Sequence, residues 1–376
     1  MEILKILIAE DDDSELQTYK DAIKTFNQEY NGTYSIEAIM CRTEEDGREN
    51  LAKFQNDFCG AIIDLNLSGI AAGKREGNNL IMTIYDSLRF PVFVVTGTPG
   101  DIDKNLPSDN LFLKVITRGE KDFIEIYREI LSIYETGVTK ILGKRGQVEK
   151  RLDEIFWKHL SNSFDFLLNS GKDSNYKEQI LLRYTLAHLQ EYLDLDENSG
   201  GFLYYEATEF LLTPVIKKTP YTGEIVRDKS TEEYFVILTP ACDMAQEKAR
   251  SILLAKIELK SEEGTLRDFI SLAKKEPKSY EDAKKVDAAK DRLQEVIRNR
   301  WPKYHLVPGS NLMETGLINF QKLKSIKVKE LRGGFDRIAQ INGAFVKDII
   351  ARFSYYYSRQ GAPDLDQEVI LRNILN

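Results

Sequence analysis

Cysteine and histidine are the scarcest chemistry-bearing residues in this chain, three of each among 376. Cys41, Cys59 and Cys242 are too widely spaced for a disulfide framework or a zinc site. His159, His188 and His305 share no metal-ligand spacing with each other or with the cysteines. Cys41 ends a predicted strand and Cys59 precedes one, so both are expected as small buried hydrophobes. Positive charge is in deficit too: 52 Lys and Arg against 60 Asp and Glu leave a formal net charge of −8. That balance argues against a chain whose main business is coating nucleic acid. No apolar run approaches the length of a membrane span. The first run, Ile3 to Ala9, is broken by Lys5 and followed by Glu10 and three aspartates. It does not read as a signal peptide, and the expected compartment is the cytoplasm.

What is present is a globular composition, 42% apolar and 30% charged, long enough for two or three domains. The first 138 residues alternate strands with helices. Strands are predicted at Ile3–Ala9, Tyr34–Cys41, Ala61–Ile63, Pro91–Val95 and Leu111–Leu113, the last ending in Lys114. Between and after them, Leu16, Tyr19, Ile23 and Phe26 recur at helical spacing, as do Phe123, Ile126, Tyr127 and Ile130. Ser14 and Gln17 fit a capping box. Only Gly97 to Asn110 separates the fourth strand from the fifth, too little for a full helix. Alternation of this kind predicts a doubly wound α/β fold with right-handed crossovers.

The polar residues then fall into place. Glu10, Asp11, Asp64, Thr96 and Lys114 all follow strands one, three, four and five, and in this topology those carboxyl ends converge on one crevice. Clustered carboxylates repel, and a divalent cation relieves them; Mg²⁺ favours carboxylates, water and a phosphate oxygen. Thr96 and Lys114 can donate to a phosphoryl group, and Asp64 is placed to act as its nucleophilic acceptor. An aspartate that merely caps the next loop is the simpler alternative for Asp64 taken alone.

The segments "ILIAEDD", "IIDLNLSG", "VFVVTGT" and "LFLK" resemble the receiver domain of bacterial two-component response regulators. The resemblance implies a flavodoxin-like fold with Asp64 as phosphoacceptor and Glu10 and Asp11 as the acid pair for Mg²⁺. It further implies the Asn66 carbonyl as a metal ligand, and Thr96 and Lys114 as phosphoryl contacts. Val115 stands where such domains usually carry proline. Leu111 stands where they usually carry a switch aromatic.

Residues 139–197 read as a connector, a helical hairpin with apolar stripes at Leu152, Ile155, Phe156 and Leu160 and at Leu182, Leu186 and Leu189. His159 and His188 are expected on its packed face. Residues 198–376 read as an α+β domain with an antiparallel, barrel-like sheet, including strands from Gly201, Glu224, Tyr234, Ile252 and Leu317. Glu262 to Arg298 reads as a charged, solvated insertion. Cys242 and Asp243, after the strand ending at Leu238, are a candidate catalytic pair without an adjacent base; the plainer expectation is a buried cysteine beside a turn-capping aspartate. The segments "RLDEIFWKHL", "VILTPACDMA", "LINFQKLKSI" and "IARFSYYYSRQGAPDLD" resemble receiver-containing regulators of Detocs-type phage-defence systems. That resemblance implies a sensor histidine kinase as partner and a phosphate-sink role. A phospho-gated enzyme using Cys242 and Asp243, and a DNA-binding regulator, are the alternatives. A homodimer stays open.

Overall fold

The computed structural model describes residues 1–54, 57–67, 76–107, 110–194, 204–359 and 364–375. Ser68 and Gly69 of the segment "IIDLNLSG" and the first residues of the strand expected from Gly201 lie outside them. The chain divides into two compact units, Met1–Phe202 and Leu203–Asn376.

The first unit begins β1 (Glu2–Ala9), α1 (Asp13–Glu29), β2 (Tyr34–Cys41), α2 (Glu44–Phe54), β3 (Phe58–Ile63), α3 (Glu76–Ser87) and β4 (Val92–Thr96). β5 (Leu113–Thr117) and α4 (Phe123–Glu135) complete the α/β part. All five strands are parallel in the order β2-β1-β3-β4-β5, the flavodoxin-like doubly wound arrangement. Side chains alternate across the sheet. Leu7, Ala61, Ile63 and Val94 pack toward Leu51, Leu80 and Ile84 of α2 and α3. Ile6, Ile8, Ile62 and Phe93 pack toward Tyr19, Phe26, Tyr127 and Ile130 of α1 and α4. β3 is buried from end to end, as its uninterrupted apolar run requires.

Two local expectations are corrected. Helix α1 is capped by Asp12, whose carboxylate accepts from the Ser14 and Glu15 N–H groups; the capping box at Ser14 and Gln17 does not form. Strand five begins at Leu113, not Leu111. The Asn110 side chain accepts from the Phe112 N–H in a turn, leaving Leu111 73% and Phe112 48% exposed. Lys114 is therefore the second residue of β5 rather than its end. Between β4 and β5 the described residues hold one short 3₁₀ turn, Pro99–Asp101, in place of a helix. Buried Asn78 of α3 fixes that connection, donating to the Asp101 carbonyl and accepting from the Asp103 N–H.

The unit continues with α5 (Val138–Leu142), α6 (Gln147–Glu154), a π-helical stretch (Ile155–Leu160), α7 (Ser161–Leu168) and α8 (Ser174–Asp194).

The second unit comprises β6 (Leu211–Leu212), β7 (Glu224–Asp228), β8 (Tyr234–Ile237), α9 (Ala241–Ala245), β9 (Ser251–Leu259), α10 (Thr265–Ala273), α11 (Tyr280–Ile297) and β10 (Tyr304–Val307). β11 (Gly316–Lys327), α12 (Val328–Gly334), β12 (Phe335–Ile341), α13 (Gly343–Ser358) and α14 (Gln367–Leu375) follow. Its strands form an antiparallel sheet ordered β10-β11-β9-β8-β7-β12-β6, curled into half a barrel. Val236, Ile257, Ile318, Phe320 and Ile341 line one face, where α13 brings Phe345, Ile349 and Phe353. The charged stretch from Glu262 is more than a solvated insertion. Leu266 and Val296 of its two helices pack on Tyr304 and Leu317, with Trp301 alongside.

Candidate functional site

β1 and β3 are neighbours in register, Ala9 opposite Ile63, so the next residues, Glu10 and Asp64, emerge side by side. Backbone hydrogen bonds hold that exit: Asp64 N–H donates to the Ala9 carbonyl at 2.9 Å, and Glu10 N–H to the Cys41 carbonyl at 3.0 Å. This is the point where the strand order reverses, the usual ligand crevice of an open parallel sheet. Carboxylate oxygens of Glu10, Asp11 and Asp64 lie within 4.8 Å of one another. Glu10 and Asp64 are buried and Asp11 is half-buried. Thr96, fully buried at the end of β4, accepts at its hydroxyl from the Thr98 N–H at 3.3 Å. Asn66 is exposed, its side-chain amide 3.4 Å from the Thr98 hydroxyl.

The structure brings together Glu10, Asp11 and Asp64 and places Thr96 at the end of β4, next to β3 in the sheet, but it holds Lys114 elsewhere. Its ammonium pairs with Glu129 of α4 at 2.7 Å, and Glu129 also binds Lys121. The register places Lys114 opposite Phe93, three positions before Thr96. The cation at the crevice is instead Arg118, just beyond the end of β5. One of its nitrogens, Nη2, reaches both Glu10 Oε2 at 2.8 Å and Asp64 Oδ2 at 3.0 Å. Arg118 N–H donates to the Thr96 carbonyl, so the backbone of β4 carries the arginine to the site. Sequence reasoning passed over it. The available signal was Ile116-Thr117-Arg118-Gly119, a strand running into a turn whose glycine has φ +84°.

The electrostatics follow from burial. Taking Glu10 out of water pushes its carboxyl up to about 7, and the charges of Asp64 and Asp11 add to the rise. The Asp12 N–H and Arg118 oppose it. One arginine thus neutralises the acids only in part. Three carboxylates of hard oxygen donors with a residual negative excess fit a small divalent cation.

A second feature of the site is Gly77, in the first turn of α3. A Cβ there would lie 2.1 Å from the Asp64 carbonyl oxygen and 2.7 Å from the Leu65 Cα. Only glycine lets α3 pack this closely beneath the Asp64 backbone. Asp64 Oδ1 is held by the Leu65 N–H at 2.8 Å, which leaves Oδ2 for Arg118 or a reactant.

The other candidates do not assemble. Cys242 is exposed on α9 rather than buried, and its thiol lies 3.6 Å from the Asp243 carboxylate. His305 is buried elsewhere, held by the Leu306 carbonyl and by Asp348. His159 and His188 face each other at 5.0 Å between their rings, His159 meeting the Tyr192 hydroxyl and His188 the Tyr184 carbonyl.

No protein-family model matches the chain, and no curated protein matches it. Among solved structures, it is similar to the receiver domain of the PhyR response regulator of Erythrobacter litoralis (16% identity, 36% of this chain, 92% of that one, TM-score 0.28). It is also similar to a sensor protein of Polaromonas sp. JS666 (17% identity, 35% and 97%, TM-score 0.27). A response regulator receiver domain protein of Clostridium thermocellum is a third (12% identity, 35% and 95%, TM-score 0.25). These likenesses concern fold over about a third of the chain.

Proposed function

We propose that residues 1–138 are a phosphoacceptor domain in which Asp64 takes a phosphoryl group from a sensor histidine kinase, making the chain a response regulator. The observation that carries this reading is the convergence of Glu10, Asp11 and Asp64 at the β1/β3 crevice, with Arg118 bridging two of the acids. Mg²⁺ held by Glu10, Asp11, Asp64 and the Asn66 carbonyl would screen the charge of the incoming phosphoryl oxygens. Asp64 Oδ2 attacks phosphorus. The new O–P bond forms as the donor's N–P bond breaks, and the bonding pair leaves on the imidazole nitrogen. Leu65 N–H holds Oδ1 so that the attacking oxygen is fixed in direction. The Thr96 hydroxyl and Arg118 are the donors for the transferred oxygens, the role first assigned to Lys114. Arg118 suits it, since a guanidinium offers several N–H groups in a rigid fork.

Within that reading, the sequence resemblance supports the finer role of a phosphate sink in a Detocs-type phage-defence system. An enzymatic output through Cys242 and Asp243 has less support, because among the described residues the thiol's hydrogen-bond partner is a carboxylate and His305 is held by Asp348 instead. The test is phosphorylation of the purified chain by an acyl phosphate in Mg²⁺, read by intact mass. Asp64→Ala should abolish the phosphorylated species. Undiminished labelling of that variant would overturn the assignment.

A further inference from the structure

Helices α6 to α8 form a hairpin whose faces are the reverse of what a free-standing pair would choose. Ile155 and Leu167 are buried, and the contacts made between the helices are polar and aromatic. Arg151 lies over the Tyr192 ring at 4.7 Å, the Tyr192 hydroxyl meets His159 Nε2 at 2.7 Å, and Tyr184 packs on His188. Many of the other large apolar residues point outward. Leu152, Phe156, Leu160, Phe164 and Leu168 recur at every fourth position, and four of the five are 38–59% exposed. Trp157, in edge contact with Phe156, is 74% exposed, and Leu182 and Leu186 on α8 are 71% and 65% exposed.

The stripe is straight for a reason. In an α-helix, positions four apart drift about 40° per step, so four steps would wind halfway round. The wider π turn at Ile155–Leu160 takes back part of that drift and keeps Leu152 and Leu168 on one side.

We infer that this outer face is covered by the same hairpin of a second copy, the two pairs closing as a four-helix bundle. Extent supports a second copy. Eight large side chains are exposed here (Leu152, Phe156, Trp157, Phe164, Leu168, Tyr176, Leu182 and Leu186). Weighting roughly 150–250 Å² per large side chain by these exposures gives on the order of 800 Å² of apolar surface, one partner's share of a standard interface. Two hairpins supply the four helices that a bundle core needs. The inference does not rest on phosphorylation of Asp64.

The test is light scattering on the full chain at micromolar concentration. The expected mass is twice 43.2 kDa, and Leu182→Glu/Leu186→Glu should return it to 43.2 kDa with unchanged circular dichroism. Ile216→Glu, an equally exposed apolar residue outside the hairpin, should leave the dimer intact. A monomeric native chain would overturn the proposal and assign the face to a different partner. So would a dimer that survives the double variant, or one that Ile216→Glu dissolves.

Discussion

Glu10 shows what a single residue costs and what it is for. Its carboxyl is held near 7 by burial, so the folded chain binds that proton more tightly than the unfolded chain, whose value is the ordinary 4.5. Below 4.5 both states are protonated and the group is neutral to stability. As pH rises toward 7 the unfolded state ionises first, and above 7 the folded state carries the whole penalty, on the order of 3 kcal/mol. In metal-free buffer, Glu10→Gln should therefore raise the melting temperature at pH 8, with the gain fading near pH 5. A less stable variant at pH 8 would mean that the pairing with Arg118 outweighs burial. The same variant combined with Asp11→Asn should remove Mg²⁺ binding by titration calorimetry, since two of the three carboxylates are gone. The cysteines divide by the same physics. Burial pushes Cys41 and Cys59 up to about 12, whereas Cys242 stands in solvent. One thiol of three should react with a soluble disulfide reagent in the native chain, and Cys242→Ala should abolish that reaction. Fast reaction of two or more thiols would contradict the burial of the α/β core.

At the scale of elements, the close approach of α3 to the end of β3 makes a prediction of its own. Gly77→Ala must displace either the helix or the Asp64–Leu65 backbone, because the added carbon meets the main-chain atoms of Asp64 and Leu65, which have no rotamer to move away. Overpacking of this kind costs roughly 1–3 kcal/mol. The phosphorylation rate should fall more than stability alone explains, since Asp64 itself is moved. An unchanged rate would show that the displacement is absorbed by the helix. The same elements mark how far sequence reasoning reaches. The second half of β3, Ala61–Ile63, and the aspartate after it were legible as a short apolar run ending in a carboxylate, whereas Phe58 to Gly60 were not read as strand. β5 was not legible, because Leu111 and Phe112 imitate a strand while the Asn110 turn holds them in solvent. That shift of two residues made Lys114 look like a strand end and hid Arg118. β12 was missed for another reason. Asp336 and Arg337 sit in it and a bulge falls between Arg337 and Ala339, so its alternation is broken where period-two reasoning needs it. Arg337 there is held by Glu224 and by three backbone carbonyls, a constraint no local pattern announces. The charged stretch from Glu262 misled in the opposite sense, its few apolar residues being enough for a small core on β10 and β11.

For the whole molecule, the question is whether the site depends on anything beyond its own unit. Every group that shapes it, from Glu10 and Asp11 through Asp64, Gly77 and Thr96 to Arg118, belongs to Met1–Phe202, and each of the two units has its own apolar core. A core closed on both faces of a five-stranded sheet is sufficient for independent folding at this size. The segment 1–202 should therefore be expressed alone as a folded protein and should accept phosphate at Asp64 at a rate within a few-fold of the full chain. Calorimetry of the full chain should resolve two transitions, one of which coincides with that of the fragment and shifts upward with Mg²⁺, because a ligand that binds only the native state stabilises the unit that holds it. The second transition should ignore Mg²⁺ and should persist in Asp64→Ala. A single transition that moves as a whole would show instead that the two units unfold as one, and that the half-barrel contributes to the stability of the α/β unit.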